Sequence, residues 1–278
     1  MAKQKVTIPQ LKEWKESGRK IRMVTAYDYP TALLVDRSEV ELILVGDSLG
    51  MVVLGYDGTV PVTMDEMVHH IKPVVRGARN TLIVGDMPFM SYNVSIEKAI
   101  ENAGRLMKEG GADCVKLEGG LPVVPVVRAL VDAGIPVMAH IGLTPQTASQ
   151  LGGFKVQGKD EAAAQRMLVE AQKMEEAGAF SIVLEAIPAP LAKLITAKIG
   201  IPTIGIGAGP DCDGQVLVIH DMIGLFDRFV PKFVKKYANV SEDIVSAMNT
   251  YAKDVETGAF PGPEHCFTMK EEVLKRLY

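Results

Sequence analysis

Residues 81–86 read Thr-Leu-Ile-Val-Gly-Asp, and residues 41–47 read Glu-Leu-Ile-Leu-Val-Gly-Asp. In both segments a continuous apolar run leads through a glycine to an aspartate. Continuous apolar runs, unlike alternating ones, are typical of parallel strands that are buried on both faces. The chain contains eight such runs, which we predict as strands at 21–26, 41–46, 81–85, 113–117, 135–139, 180–184, 201–205 and 215–219.

The segments between these runs predict helices. Thr63-Met-Asp-Glu66 has the spacing of a capping box, ahead of a helical stretch that reaches about Arg79. Ser95 begins a second predicted helix, which the glycine pair at 110–111 ends. Eight strands that alternate with helices, without a linker between two halves, indicate an α/β protein with a single (β/α)8 TIM barrel.

The predicted domain organisation follows from the strand count. A chain of 278 residues could hold two ordinary domains or one barrel of roughly 250 residues. The even spacing of the strands favours one domain, and we expect the helix at 8–17 to cross the barrel bottom and the segment at 241–257 to complete its wall. The predicted parts are a single domain 1–278 with an N-terminal helix in 1–20, the barrel in 21–257 and a C-terminal helical arm in 258–278.

The composition restricts the class of protein. With 47% hydrophobic and 23% charged residues, the chain is typical of a soluble globular protein, which excludes a disordered chain or a small disulfide scaffold. A net charge of −4 disfavours a nucleic-acid surface, so small molecules are the expected partners. No apolar stretch approaches the ~20 residues of a membrane span. Three widely spaced cysteines fit a reducing cytoplasm.

Carboxylates follow three consecutive predicted strands. Asp47, Asp86 and Glu118 each stand at the carboxyl end of a strand, where barrel enzymes place their catalytic groups. Like charges this close destabilise one another unless a cation neutralises them, and Mg²⁺ prefers oxygen ligands. We therefore predict a magnesium site formed by these three residues. The alternative is that one or more of these carboxylates cap the helix that follows.

Three further polar residues face the same predicted rim. Lys116 lies two residues before Glu118, so both side chains point to one face of their strand, where the lysine could bind an anionic substrate or form a structural salt bridge. Glu185 ends the sixth strand, too far around the rim for a metal ligand, and could act as a general base or a structural cap. His140 could bind or polarise the substrate, although a lone histidine is more often structural.

Two glycine-containing segments lie near this rim. Gly205-Ile-Gly-Ala-Gly209 resembles a phosphate-binding loop but lacks the full spacing, so a tight turn is the preferred interpretation. The connection from Gly207 to Gln215 is too short for a helical crossover, which means that the seventh helix is vestigial or that the last two strands are misplaced. Residues 153–159 are basic and flexible in character and are predicted to form a loop over the barrel mouth.

These motifs together resemble the 3-methyl-2-oxobutanoate hydroxymethyltransferase family, also called ketopantoate hydroxymethyltransferase. The resemblance runs in order from about residue 25 to residue 221. It is carried by Gly46-Asp-Ser-Leu-Gly50, Gly85-Asp-Met-Pro-Phe89, Lys116-Leu-Glu-Gly-Gly120, Ala139-His-Ile-Gly-Leu-Thr-Pro-Gln146, Leu184-Glu-Ala-Ile-Pro188 and the turn at 205–209 followed by Asp213-Gly-Gln215. The short seventh connection also resembles the family's, so it does not argue against the barrel.

The resemblance implies a cytoplasmic, Mg²⁺-dependent enzyme of pantothenate biosynthesis. It implies transfer of a one-carbon unit from 5,10-methylenetetrahydrofolate to 3-methyl-2-oxobutanoate, giving 2-dehydropantoate and tetrahydrofolate. It further implies a homodecamer, a pentamer of dimers. By position, it implies magnesium contacts from Asp47, Asp86 and Glu118, oxo-acid contacts from Asp47, Ser48, Asp86 and Lys116, and a proton acceptor in Glu185.

The same residues support this chemistry physically. A 2-oxo acid can chelate Mg²⁺, which would stabilise the enolate that forms when Glu185 removes the C3 proton. Lys116 would neutralise the substrate carboxylate, and Ser48 could donate a hydrogen bond. Two alternatives remain: a Mg²⁺-dependent lyase or mutase of 2-oxo acids that needs no folate, and a catalytically silent barrel that only binds a metabolite.

Overall fold

Eight parallel strands form a closed barrel in the computed structural model, which describes residues 4–150, 152–228 and 230–278. The strands are β1 (Ile21–Thr25), β2 (Leu42–Val45), β3 (Leu82–Asp86), β4 (Cys114–Glu118), β5 (Val137–Gly142), β6 (Ser181–Glu185), β7 (Thr203–Ile206) and β8 (Gly214–Leu217). Each strand pairs with its neighbour in the chain, and β8 pairs with β1 to close the sheet. The predicted TIM barrel and all eight predicted strands are confirmed, with small shifts in their bounds.

Helices surround the barrel and follow most of its strands. They are α1 (Ile8–Glu16), α2 (Tyr29–Arg37), α3 (Leu49–Val52), α4 (Met64–Gly77), α5 (Ile96–Arg105), α6 (Val124–Asp132), α7 (Glu161–Glu176), α8 (Ala189–Lys198), α9 (Ile219–Met222), α10 (Val240–Thr257) and α11 (Glu271–Leu274). A π-helical turn, Leu106–Gly110, extends α5. In the described ranges, no helix combines the length and apolar character that a membrane crossing requires.

The predicted helix starts are confirmed by their hydrogen bonds. At α4, Thr63 Oγ1 accepts the N–H of Glu66 at 3.2 Å, and Glu66 Oε2 accepts the N–H of Thr63 at 2.7 Å. At α5, Ser95 Oγ accepts the N–H of Lys98 at 3.2 Å. The π-helical turn then ends at Gly111, whose φ of +88° suits glycine. Both helices therefore begin where side-chain oxygens satisfy their first N–H groups.

Apolar side chains fill two separate cores. The larger core lies between the strands and the surrounding helices. The smaller core lies inside the barrel and includes Leu42, Leu82, Cys114 and Met138, all at most 3% exposed. Layers of side chains of this kind fill the interior of TIM barrels, so the lower barrel is packed and not a channel. Cys114 belongs to this lower core and does not line the cavity described below.

Helix α1 closes the bottom of the barrel, as predicted. Leu11 is 1% exposed and joins the interior core. Lys15 Nζ donates to Asp213 Oδ2 at 2.7 Å and to the carbonyl of Thr196 at 2.9 Å. These bonds link the helix to the loop before β8 and to α8.

The connection between β7 and β8 is a turn without a helix. Residues 207–213, all of which are described, contain only turns and bends, and β7 pairs directly with β8. Of the two interpretations of this short segment, the vestigial helix is therefore correct. Gly207 and Gly209 have φ angles of +65° and +83°, as a tight turn requires.

Helix α10 differs from the sequence-based expectation. The helix forms at 240–257, but none of its residues is buried, so the prediction that residues 241–257 complete the barrel wall is wrong. Its apolar residues are instead exposed, among them Val245, Met248 and Tyr251 at 57%, 64% and 59%. The helical periodicity predicted the helix, but periodicity alone does not identify the surface that covers its apolar face.

A buried carboxylate links β1 to the start of β2. Glu41 is 3% exposed and accepts the backbone N–H of Arg22 at 2.9 Å and a guanidinium N–H of Arg19 at 2.8 Å. Its side chain also pairs with the Arg22 guanidinium. Although burial acts in the opposite direction, these hydrogen bonds hold the pKa of Glu41 below its usual value.

Replacement of this carboxylate tests its contribution to stability. We expect Glu41→Gln to lower the free energy of unfolding by on the order of 2 kcal/mol at neutral pH, because a charged hydrogen-bond acceptor is lost from a buried site. Because the folded-state pKa is depressed, this difference should be complete above the ordinary glutamate pKa and should shrink as the pH falls below it. Urea unfolding at several pH values measures the difference. Glu39→Gln removes an exposed partner of the same Arg22 and is the control; an equal effect of both variants would contradict the role of Glu41.

Candidate active site

A cavity of about 380 Å³ lies at the carboxyl ends of the strands. Its lining contains every candidate residue that the sequence identified: Asp47, Ser48, Asp86, Lys116, Glu118, His140 and Glu185. The four acidic or basic residues of β3, β4 and β5 are at most 4% exposed. The structure therefore brings all seven predicted site residues to one buried location.

The strand register places these side chains side by side. Asp86 pairs with Lys116 across β3 and β4, and Glu118 pairs with His140 across β4 and β5. Lys116 and Glu118 share a face of β4, as their spacing of two predicted. Because all the strands are parallel, their polar ends meet at one rim.

The charged part of the cavity, which we call the floor, is lined by Asp47, Asp86, Lys116, Glu118 and His140. Lys116 forms the shortest ion pair of this floor. Its Nζ donates to Asp86 Oδ1 at 2.7 Å and lies 3.7 Å from Glu118 Oε1. Burial opposes its positive charge, but the carboxylates of Asp86, Glu118 and Asp47 outweigh burial and raise the pKa of Lys116. The residue is thus a permanent positive charge at neutral pH.

His140 connects two carboxylates from different strands. Its Nδ1 lies 3.4 Å from Glu118 Oε1, and its Nε2 lies 3.3 Å from Glu185 Oε2, although neither contact has hydrogen-bond geometry. Burial disfavours the charged ring, yet the neighbouring carboxylates raise the pKa of His140 to about 9. We expected Glu185 at the far side of the rim. Instead, only the imidazole ring of His140 separates it from Glu118.

The two aspartates carry negative charge that the neighbouring cations do not fully offset. Burial and the charges on Asp86 and Glu118 raise the pKa of Asp47 well above its usual value. Burial, assisted by Glu118, also raises the pKa of Asp86 despite the contact with Lys116. Glu118 differs: burial acts against its charge, but His140 and Lys116 hold its pKa below the usual value. Asp47 and Asp86 are thus the two carboxylates whose ionised forms a bound cation would stabilise most.

This donor set fits a hard divalent cation. Asp47 and Asp86 offer oxygen ligands and uncompensated charge, and Mg²⁺ usually takes one or two carboxylates and keeps several waters. Among residues 4–150, 152–228 and 230–278, no three His, Cys, Asp or Glu side chains are arranged to hold a metal ion. Asp47 and Asp86 are the oxygen donors that could hold such an ion, and Glu118 lines the same cavity.

Ser48 is supported by a buried tyrosine. Its Oγ lies 2.8 Å from the hydroxyl of Tyr27, which is 1% exposed. Burial raises the pKa of Tyr27, so this phenol keeps its proton. The pair can therefore present a hydroxyl group to a ligand in the cavity.

The backbone around Glu185 is held in an unusual conformation. Ala186, directly after it, has a φ of +47°, a region that residues with a side chain rarely adopt. The N–H of Ala186 donates to the carbonyl of Ile206 at 2.8 Å, and its carbonyl accepts the N–H of Gln157 at 3.0 Å. On the other side, a Cβ on Gly142 would lie 2.3 Å from the Glu185 carbonyl. The close packing of β5, β6 and β7 thus fixes the position of this carboxylate.

Gln146 and Tyr92 are site residues to which the sequence analysis assigned no role. Gln146 Nε2 donates to Asp47 Oδ2 at 2.8 Å and to the Met87 carbonyl at 3.0 Å, and its backbone N–H donates to Glu118 Oε2 at 3.2 Å. The hydroxyl of Tyr92 donates to Gln146 Oε1 at 2.6 Å. Gln146 therefore contacts two of the three predicted metal-site carboxylates. The sequence did contain a signal for Gln146: a polar side chain directly after the fifth strand, in Thr144-Pro-Gln146, stands at the rim that carries the other site residues.

Two loops form the cavity mouth. Phe154 and Val156, in the predicted loop at 153–159, line the cavity as expected. In the glycine turn after β7, a Cβ on Gly207 would lie 2.7 Å from the ring of Phe233, which also lines the cavity. This close packing agrees with the tight-turn interpretation of the 205–209 segment. The mouth is mainly apolar, with Lys232 and Asp221 as its charged residues, whereas the floor is charged throughout.

A (β/α)8 barrel with a buried lysine, a histidine and several carboxylates at its carboxyl end has the layout of a TIM-barrel enzyme. The model of the ketopantoate hydroxymethyltransferase family matches residues 5–263. The chain belongs to this family.

Close relatives cover the whole chain. The 3-methyl-2-oxobutanoate hydroxymethyltransferase of Heliobacterium modesticaldum is 68% identical over 278 residues, which is 100% of both chains. The enzyme of the same name from Moorella thermoacetica is 63% identical over 263 residues, covering 95% of this chain and 98% of the relative. The sequence resemblance to this family is therefore confirmed.

Solved structures with low sequence identity share the fold. Phosphoenolpyruvate phosphomutase from Streptomyces platensis subsp. rosaceus superposes with a TM-score of 0.60 at 15% identity, covering 91% of this chain and 88% of that one. A phosphonopyruvate hydrolase, solved with oxalate and Mg²⁺, has a TM-score of 0.60 at 13% identity and covers 97% of this chain and 94% of its own. At these identities, the similarity is one of fold.

Replacement of Gln146 tests whether it positions the acidic group. Gln146→Leu removes the amide that donates to Asp47, and we expect Mg²⁺ affinity to fall by about 10- to 100-fold, as for other residues that orient metal ligands. Titration calorimetry with Mg²⁺ measures the change, and thermal unfolding verifies the fold. Gln150→Leu, at an exposed position four residues further on, is the control. Mg²⁺ affinity that is unchanged in Gln146→Leu would refute the positioning role.

Proposed function

We propose that the protein transfers a hydroxymethyl group from 5,10-methylenetetrahydrofolate to 3-methyl-2-oxobutanoate, giving 2-dehydropantoate and tetrahydrofolate. Family membership supports hydroxymethyl transfer in pantothenate synthesis. The main structural support for the mechanism is that His140 contacts both Glu118 and Glu185, beside the ammonium group of Lys116. It combines a candidate proton acceptor with a fixed positive charge in one buried cavity.

Lys116 is the proposed anchor of the oxo acid. Its ammonium group is kept charged by contacts with Asp86 and Glu118. A substrate carboxylate in this cavity would lose its hydration, and a buried ammonium offsets that cost. Ser48, held by Tyr27, would donate a further hydrogen bond to the substrate.

Glu185 is the proposed proton acceptor. Its side chain is 16% exposed, more than those of Asp86 and Glu118, and it lines the cavity. Glu185 would take the proton from C3 of the oxo acid, and the electron pair of the broken C–H bond would pass into the enolate. C3 then forms a bond to the donor's methylene carbon as one C–N bond of the donor breaks. Water adds its oxygen to the same carbon as the second C–N bond breaks. The two released nitrogens of tetrahydrofolate take up the proton held by Glu185 and the proton left by water. His140 orients the carboxylate during this step.

Asp47 and Asp86 are the proposed ligands of Mg²⁺, with Glu118 as a third contact. When bound, Mg²⁺ would supply Lewis-acid stabilisation of negative charge on the oxo-acid oxygens. Asp47 is held by Gln146, and Asp86 is held by Lys116 and by the N–H of Asp47 at 3.2 Å. These contacts would keep both carboxylates oriented in the absence of substrate.

The exposed face of α10 supports a proposal about assembly. Val245, Met248 and Tyr251 leave apolar surface on one helix. Apolar patches of this kind are common at interfaces between subunits. We include in the proposal that the protein assembles as a homo-oligomer, a homodecamer formed as a pentamer of dimers.

The three cysteines support a proposal about location. Cys114 and Cys212 are buried and free, and Cys266 is exposed and free. An exposed free thiol suits a reducing compartment. We therefore propose the cytoplasm as the site of action.

Replacement of Glu185 tests the proton acceptor. We expect Glu185→Gln to slow deuterium exchange at C3 of the oxo acid by about 100-fold or more, because an amide cannot accept the proton. Oxo-acid binding, measured by calorimetry with Mg²⁺, should remain within a few-fold of wild type. NMR in D₂O follows the exchange, with the exposed Glu256→Gln as the control variant. Exchange at the wild-type rate in Glu185→Gln would exclude this residue as the base.

The donor requirement tests the proposed reaction as a whole. We expect 2-dehydropantoate to form only when oxo acid, Mg²⁺ and methylenetetrahydrofolate are all present, and EDTA to abolish its formation. Mass spectrometry of the products measures this dependence. Carbon–carbon cleavage of a 2-oxo acid without folate would instead identify a lyase, and metabolite binding without turnover would identify a silent barrel.

A further inference from the structure

A carboxylate without a partner lies at the upper end of the cavity. Asp221, on α9 just after β8, lines the cavity and is 8% exposed. In the described part of the chain, its side chain makes no hydrogen bond and no ion pair within 4 Å. Its carboxylate oxygens are not enclosed by protein, because they are absent from the buried atoms without a partner and the residue lines the cavity. A ligand in the cavity can therefore supply the hydrogen bonds that the described residues do not.

The surroundings of Asp221 are mainly apolar. The same cavity is lined by three apolar residues that lie, like Asp221, after β8 or at its end: Val218, Phe226 and Phe233. Burial raises the pKa of Asp221 to about 6, and the charge of Lys236 only partly opposes this effect. At neutral pH the group is therefore an ionised carboxylate, in a cavity that is also lined by the rings of Phe226 and Phe233.

Asp221 is suited to a different ligand from the one at the floor. An ionised carboxylate accepts hydrogen bonds and donates none, so it repels an anionic oxo acid. Lys116, which pairs with Asp86 at the floor, is the proposed anchor of such an anion, although Lys232 also lines the cavity. The fitting ligand for Asp221 is a neutral, flat heterocycle with two adjacent N–H donors, because one carboxylate can accept both.

We propose that Asp221 binds the aminopyrimidinone edge of the pterin ring of the one-carbon donor, an inference that rests on the proposed function. The carboxylate accepts one N–H from the pyrimidinone ring and one from the exocyclic amino group. Phe226 and Phe233 form the apolar part of this subsite. Asp221 thus selects the donor, while Lys116 selects the oxo acid.

The position of Asp221 relative to the floor is compatible with transfer between the two ligands. Besides burial, the charges on Asp221 and Asp47 both act on the hydroxyl of Tyr27, so this tyrosine is within electrostatic reach of both carboxylates. The Tyr27 hydroxyl contacts Ser48 at the oxo-acid end. A pterin that is held by one edge at Asp221 carries its one-carbon unit on the opposite part of the ring system, away from the Asp221 carboxylate.

The protein-side test uses Asp221→Asn with tetrahydrofolate as the probe. Loss of the charged acceptor should raise the Kd for tetrahydrofolate by about 10-fold or more. Calorimetry measures the Kd, and C3 deuterium exchange of the oxo acid without folate should stay within about two-fold of wild type. Asp227→Asn, an exposed aspartate outside the cavity, is the matched control and should bind tetrahydrofolate normally. An unchanged Kd in Asp221→Asn would overturn the proposal.

The ligand-side test needs only the wild-type protein, so it holds even if the variant does not fold. A tetrahydrofolate analogue without the exocyclic amino group should bind at least about 10-fold more weakly than tetrahydrofolate, because one hydrogen bond to the carboxylate is lost. In Asp221→Asn this preference should largely disappear. Equal binding of the two ligands to the wild type would overturn the assignment of Asp221.

Failure of this proposal is distinguishable from failure of the proposed function. If the wild type forms 2-dehydropantoate only with methylenetetrahydrofolate, the function holds, and the two binding tests alone decide the role of Asp221. If the wild type neither binds tetrahydrofolate nor uses its methylene derivative, the proposed donor is wrong, and the assignment of Asp221 is overturned with it.

Discussion

The buried ammonium of Lys116 is the charge on which the rest of the site depends. Five carboxylates line one cavity, and this lysine contacts two of them, at 2.7 Å from Asp86 and 3.7 Å from Glu118. Without a cation, carboxylates at this depth would take up protons and cease to act as anions. The barrel makes the arrangement possible, because adjacent parallel strands place Asp86 beside Lys116 in register. The charge balance of the site therefore depends on the register between β3 and β4.

Much of the fold could be predicted from the sequence, because its signals are local. Continuous apolar runs identify strands that are buried on both faces, and the capping box at Thr63 identifies the start of a helix. The site residues at strand ends were predictable for the same reason: in a parallel barrel, every strand end points to the same rim. That Lys116 and Glu118 share a face of β4 was predictable from the two-residue period of a strand alone.

The residues that the sequence did not identify depend on contacts between distant segments. Gln146 reaches Asp47 from a turn that lies 99 positions further along the chain, and no periodicity predicts such a contact. Asp221 follows the last strand as a single aspartate, and its lack of a partner is visible only in three dimensions. The exposed face of α10 is a similar case, because a helical pattern specifies an apolar face and not the surface that covers it.

The packed lower half of the barrel has a kinetic consequence. Leu11, Leu42, Leu82 and Met138 close the axis from below, so the charged floor is reached through the apolar mouth. Two ligands that share such a cavity cannot exchange independently. If the oxo acid occupies the floor and the folate lies above it, the oxo acid binds first and the new oxo acid leaves last. A compulsory binding order is then a property of the barrel's architecture, independent of any lid or conformational change.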